Sequence, residues 1–278
     1  MKVALIQMNS GPDKAANLAS AARLIEHAVV EEKPDWIGLP EVFDCLGGSR
    51  ADKLAAAETL PGGPAYAMLQ GLARRHGVFI HGGSVLERGG SDGRLHNTTL
   101  VFDRSGTEVA RYRKIHMFDI TTPDGHVYKE SATFAPGDAL ATYRCGDMLV
   151  GCAICYDLRF PQLFQNLARA GADMIALPSA FTLQTGRDHW DVLLRARAIE
   201  TQTWLCAPAQ WGAFASGNET RQTYGHSLVA DPWGQIIASA SDGTGIVSAR
   251  LDRRRNAEVR ALMPVAAHIV PLPEGSQQ

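Results

Sequence analysis

Short apolar runs alternate with amphipathic stretches along nearly the whole chain, and that alternation constrains the fold more than any other feature. Residues 3–7 read as a buried strand, and over 15–31 Leu18, Ala22, Ile25 and Val29 recur at helical spacing. Residues 36–40 read as a second buried strand. Pro64–His76 reads as a helix closed by Gly77, and 78–87 and 97–102 as two strands joined around 88–93, a hairpin signal. The second half repeats the theme, with strands at 149–155, 174–179 and 204–210 and helices at 161–170 and 187–201. Residues 227–231 pair with 235–238 across Pro232-Trp233-Gly234, and a strand at 245–251 precedes a basic helix, Arg253–Leu262.

About nine strands and at least five helices in this order imply sheets covered by helices. Two sheets face to face, with helices outside, accommodate that many strands without one very wide sheet. The expected α/β fold is a four-layer αββα sandwich of two mixed sheets. The 278 residues suit one such unit, and no stretch is rich enough in Pro, Gly or Ser to divide it. We expect one domain over 1–268 and a tail over 269–278.

Composition narrows the partners. Hydrophobic residues make up 45% of the chain, enough for a large core, and the net charge is −2, which gives no basis for binding nucleic acid or an anionic membrane. No run approaches the roughly 18 apolar residues of a membrane span. The apolar start, 3–8, is too short for the core of a signal peptide. Five cysteines at irregular spacing (Cys45, Cys145, Cys152, Cys155, Cys206) do not form a disulfide framework, so the expected setting is a reducing cytoplasm.

Cys152-Ala153-Ile154-Cys155 has the spacing of redox and zinc motifs, and a zinc or redox protein using both thiols is the competing class. Both chemistries need the sulfurs on one side, whereas positions three apart on a strand face opposite ways. No second cluster completes a tetrahedral site, and no metal or cofactor is expected. Cys155 alone ends the strand, and 156–161 turns into a helix. A nucleophile at such a turn presents its side chain at the sheet edge, beside backbone N–H groups that can hold an oxyanion. A thiol needs a base, and nine histidines offer candidates. His189 and His226 have reasonable contexts, but position selects neither. Two other polar residues stand out: Glu41, at the C-terminal end of a buried strand, and Lys114, within the apolar-aromatic run 112–118. Each reads equally well as a surface residue near a turn.

Together these segments resemble the nitrilase superfamily of carbon–nitrogen hydrolases. The resemblance rests on Leu39-Pro40-Glu41, Tyr112-Arg113-Lys114-Ile115-His116 and Gly151-Cys152-Ala153-Ile154-Cys155-Tyr156-Asp157-Leu158-Arg159-Phe160-Pro161, in the family's order. Lys129-Glu130-Ser131 resembles the segment of a second active-site glutamate. It implies that Glu41 is the base, Cys155 the nucleophile, and Lys114 with the backbone N–H of Tyr156 the oxyanion hole, with Glu130 positioning Lys114 and the amide. Cys155-Tyr156-Asp157, where true nitrilases carry Cys-Trp-Glu, argues for an amidase. Segments 178–181, 193–202 and 224–234 look like the Nit branch. That implies a small ω-amide of an α-keto acid as substrate, deaminated glutathione ahead of α-ketoglutaramate or an N-carbamoyl compound. It also implies water as co-substrate and a homodimer or higher homo-oligomer. Arg159, Phe181 and Thr185 look like the residues that grip the α-keto-carboxylate. Arg187-Asp188 departs from the smaller residues usual there, and 212–224 is expected to be a polar, flexible loop.

Overall fold

In a computed structural model that describes residues 1–122 and 125–270, the alternation resolves into two mixed sheets flanked by helices. The first half supplies β1 (Lys2–Gln7), α1 (Lys14–Glu32), β2 (Trp36–Gly38), α2 (Arg50–Ala56), α3 (Pro64–His76), β3 (Phe79–His81), β4 (Val85–Arg88), β5 (Leu95–Phe102) and β6 (Glu108–Arg113). Two short strands follow, β7 (Asp119–Thr121) and β8 (Val127–Lys129). The second half supplies β9 (Thr142–Cys145), β10 (Met148–Cys152), α4 (Pro161–Arg169), β11 (Met174–Ala176), α5 (Leu183–Thr201) and β12 (Trp204–Ala207). It ends with β13 (Trp211–Ser216), β14 (Glu219–Tyr224), β15 (Leu228–Ala230), β16 (Ile236–Ser239), β17 (Gly245–Arg250) and α6 (Arg253–Leu262).

One sheet runs β17-β1-β2-β3-β5-β4, with β6 also on β5, and the other runs β16-β15-β12-β11-β10-β9. The centres β1-β2-β3 and β10-β11-β12 are parallel, so each step needs a crossover, which the helices provide. Period-two alternation sets the layers. Val3 and Leu5 of β1 face the core shared with the second sheet, whereas Ala4 and Ile6 pack on Leu24 and Ile25 of α1 and Leu69 of α3. On the far side, Phe164 of α4 and Trp190 and Leu194 of α5 close the fourth layer. No helix among the described residues is long and apolar enough to cross a membrane.

Several boundaries differ from expectation. The run at 78–87 breaks at Gly82-Gly83. Gly83 takes φ +54°, and a Cβ there would lie 2.0 Å from the Pro40 carbonyl oxygen, so only glycine lets the chain pass this close. The passage clamps the turn after β2: the Val42 N–H donates to Ser84 Oγ at 2.8 Å and the Phe43 N–H to the Ser84 carbonyl at 3.2 Å. Residues 212–224 are no flexible loop; they lie within the regular antiparallel hairpin β13–β14, paired from Trp211↔Tyr224 to Ser216↔Glu219. The hairpin is polar because it is a separate two-stranded ribbon with most of its side chains exposed or half-buried, which hides a strand signal. Helix α5 starts four residues before 187, capped by the Thr182 hydroxyl, which accepts from the Thr185 N–H. Beyond Val270, the expected tail lies outside the described residues.

The sheets are tied across their interface by a buried aromatic group. The Trp36 indole N–H donates to the Tyr143 hydroxyl at 2.7 Å, leaving the hydroxyl hydrogen for His81 Nδ1 at 3.2 Å. Burial lowers the His81 pKa to about 3. The unfolded chain therefore takes up a proton below about pH 6.5 that the folded chain refuses, and stability falls as pH drops from there towards 3, by roughly 1.4 kcal/mol per pH unit. His81→Phe is expected to flatten that acid limb by about one proton, measured by urea unfolding across pH 4–7.

Candidate active site

Strand β10 stops at Cys152, and the chain bends sharply at Cys155. This cysteine takes φ +47°, a left-handed conformation that costs a non-glycine residue on the order of 1 kcal/mol or more and needs surrounding support. A 3-10 turn, Cys155–Arg159, then leads into α4, with Pro161 at its first position. The elbow is held from beneath. The Cys155 N–H donates to the Pro178 carbonyl at 2.9 Å. The buried Asp157 carboxylate accepts from the Ile154 N–H at 2.9 Å, the Tyr112 hydroxyl at 2.7 Å, and His116 through its N–H at 3.1 Å and Nδ1 at 2.7 Å. The N–H of Tyr156 is left without a protein acceptor among the described residues.

Three charged side chains converge beside this elbow. Glu41 leaves the end of β2, Lys114 follows β6, and Glu130 opens a 3-10 turn after β8. The Lys114 ammonium donates to Glu41 Oε1 at 2.9 Å and to Glu130 Oε1 and Oε2 at 3.0 and 2.9 Å. Asn97 Nδ2 also donates to Glu41 Oε1, at 2.9 Å, and the Phe118 N–H fixes Glu130 Oε2 at 2.6 Å. Gln210 Nε2 holds the Glu41 carbonyl at 3.1 Å, and Val42, next in sequence, sits at φ +43°, rare for a β-branched residue.

The electrostatics follow from burial. Lys114 is 2% exposed, and burial alone would push its pKa down. The carboxylates of Glu130 and Glu41 outweigh that and hold it well above the usual lysine value, so the ammonium is permanently charged. The Cys155 thiol is pushed well up, first by burial and then by the Glu41 carboxylate, while Lys114 and the Ala180 backbone N–H pull the other way. The thiol therefore rests protonated against a carboxylate that can take its proton. Cys152 faces the core, and burial pushes its thiol up to about 12, so the two sulfurs of the motif have separate surroundings.

Glu41, Lys114, Glu130, Cys155, Tyr156, Phe181 and Thr185 all line one pocket of about 310 Å³, roughly ten times the ~30 Å³ share of one water. Arg159 does not line it. Its guanidinium sits 5.6 Å from the Phe181 ring centre and its Nη2 lies 3.2 Å from His189 Nδ1; no bond to Asp157 forms, because the elbow already uses that carboxylate. Asn97, Asp157 and Gln210 are site residues the sequence reading missed. Asn97 gave no signal, since His96, Thr98 and Thr99 beside it are polar too; nor did Asp157 or Gln210, whose partners Tyr112, His116 and Glu41 lie 45, 41 and 169 positions away. Arg187 and Asp188 line an outer groove that shares Tyr128, Thr182, Arg221 and Gln222 with the pocket.

A model of the carbon–nitrogen hydrolase family matches residues 2–261. The chain is 41% identical to a deaminated glutathione amidase of Synechocystis sp. over 270 residues, 96% of this chain and 97% of that one. It is 36% identical to the omega-amidase NIT3 of Saccharomyces cerevisiae, over 95% of this chain and 91% of the other. The crystal structure of Saccharomyces cerevisiae Nit3, a member of branch 10 of the nitrilase superfamily, superposes with a TM-score of 0.84 at 33% identity, covering 95% of this chain and 94% of that one.

Removing the elbow's anchor should be costly, because its loss strands several buried donors. Asp157→Ala is expected to lower stability by about 3–5 kcal/mol. A loss below about 1 kcal/mol in urea unfolding would mean the elbow holds itself.

Proposed function

The chain belongs to the carbon–nitrogen hydrolase family, and we propose that it is a thiol amidase acting on ω-amides of α-keto acids, with deaminated glutathione as the foremost substrate. The observation that carries this is the Lys114 ammonium, bound to Glu41 and Glu130 beside a protonated Cys155 thiol in one pocket. Glu41 takes the thiol proton as sulfur attacks the amide carbonyl, and the electron pair moves onto the oxygen. That oxyanion is held by Lys114 and the free N–H of Tyr156. On collapse the C–N bond breaks, and Glu41 returns its proton to the departing nitrogen, leaving a thioester. Ammonia leaves from a primary amide; from deaminated glutathione the leaving group is the amine of a peptide. Glu41 then takes a proton from water, whose oxygen attacks the thioester; as the C–S bond breaks and the acid is released, Glu41 returns that proton to the Cys155 sulfur. Glu130 keeps Lys114 aimed throughout.

The similarity to the Synechocystis deaminated glutathione amidase over nearly the whole of both chains supports this substrate over α-ketoglutaramate. The five unpaired cysteines support a reducing compartment. Assembly into a homo-oligomer is supported by exposed apolar side chains on α5 (Val192, 67% exposed, and Ile199, 49%) and on β16 (Ile236 and Ile237).

Appearance of α-keto acid from deaminated glutathione and from α-ketoglutaramate is the test. Cys155→Ala should reduce turnover to background, and Glu41→Gln should lower kcat by roughly 10²–10⁴-fold. A Cys155→Ala protein as active as the parent would overturn the mechanism. In solution sizing, a dimer or larger species is expected, and a monomer at micromolar concentration would refute the assembly.

A further inference from the structure

We propose that Lys53 and Arg221 form a cationic subsite that holds a carboxylate of the substrate at a distance from the scissile carbonyl. This deepens the amidase reading and rests on it for the identity of the reacting bond. It is separate from Arg159, whose guanidinium lies over the rings of Phe181 and Tyr156 at 5.6 and 6.0 Å.

The pocket carries more positive than negative charge. Its charged lining comprises Lys53, Lys114, Lys129 and Arg221 against Glu41 and Glu130. Both carboxylates already share Lys114, so three cations face the cavity beyond that network, in a chain whose net charge is −2. An excess of this kind within a partly closed space favours an anionic ligand.

Lys53 is the least compensated of them. It is half-buried on α2, and its ammonium has no hydrogen-bond or ion-pair partner among the described residues. Burial is the largest influence and acts against its charged form, as does the nearby Arg221, while Cys45 and Glu130 favour it; the net cost is one that a bound carboxylate would relieve. Arg221, on β14, lies over the Tyr128 ring at 4.5 Å and meets the half-exposed Glu219 through Nε and Nη2, at 3.3 and 3.2 Å. That leaves Nη1 available.

The scaffold fixes both cations. The loop before α2 is joined to the hairpin by the Gly48 N–H, which donates to the Ala215 carbonyl at 3.1 Å. At its far end, α2 is pinned by Lys14 Nζ on the Ala56 carbonyl at 2.7 Å and Arg88 Nε on the Ala57 carbonyl at 2.9 Å. A carboxylate entering between α2 and the hairpin would meet donors already in place.

Three substrates separate the possible sources of the carboxylate: α-ketoglutaramate, with one on the acyl part; N-butyrylglycine, with one on the amine part; and butyramide, with none. In Lys53→Met and Arg221→Met, the kcat/KM of a charged substrate relative to butyramide is expected to fall by about tenfold or more, mainly through KM. The substrate whose ratio falls identifies the part of the molecule held, and Lys53→Arg should retain most of the preference. Loss shared equally by all three substrates, or no loss, would overturn the subsite. Calorimetric binding of glutarate to Cys155→Ala gives a readout that needs no turnover. If the parent hydrolyses none of the amides but glutarate binding weakens about tenfold in both methionine variants, the amidase reading fails and the subsite stands. If glutarate binding is unaffected by either substitution, the subsite fails whatever the activity.

Discussion

A lysine ammonium buried between two carboxylates is the constraint on which the rest of this molecule depends. Desolvating Lys114, Glu41 and Glu130 together costs several kcal/mol per ion unless every donor and acceptor is matched. Here the matching is nearly complete: Asn97 and the Phe118 N–H supply the carboxylates with the donors that Lys114 cannot. Taking away any one member leaves uncompensated charge in a largely buried site. Glu41 and Lys114 come from the ends of β2 and β6, brought together by the order of the first sheet, and Glu130 from the turn after β8 in the separate β7–β8 ribbon.

Two of the strained backbone positions lie where that network meets the thiol. Val42 and Cys155 are both in the left-handed region, one directly after Glu41 and the other at the thiol itself. Each is over-determined by bonds from elsewhere: Ser84 grips the first, and Pro178 and the Asp157 cluster grip the second. Such positions persist only when their surroundings are rigid. The tight Gly83–Pro40 passage and the buried Asp157 thus serve the site without touching the pocket. The protonated thiol follows from the same enclosure, since burial that strengthens Lys114's hold on its carboxylates also disfavours a resting thiolate.

How much was legible depended on the range of the interaction. Pro64–His76 and Arg253–Leu262 have the expected bounds because their start and stop signals are local: proline and glycine for the first, the Asp252 cap for the second. The break at Gly82-Gly83 was hidden, since its cause is the Pro40 carbonyl some forty residues earlier. The β13–β14 hairpin was hidden because a ribbon exposed over much of its surface lacks an apolar period. Arg159 illustrates the same limit. Its motif and chemistry suit a carboxylate, and only the tertiary structure shows its guanidinium beside His189 and over the rings of Phe181 and Tyr156.

By itself the sequence determined the layered α/β architecture, and it set Cys155, at a strand end before a turn, apart from Cys152 within the strand. Periodicity, strand parity and local turn chemistry are enough for these, because each acts over a few residues. Only the tertiary structure decided that Glu41 and Lys114, 73 positions apart, share a hydrogen bond at 2.9 Å, that Asp157 supports the elbow through Tyr112 and His116, and that Lys53 lines the pocket with no hydrogen-bond or ion-pair partner among the described residues. Those outcomes depend on sheet order and on which buried charges find partners, and no local pattern encodes either.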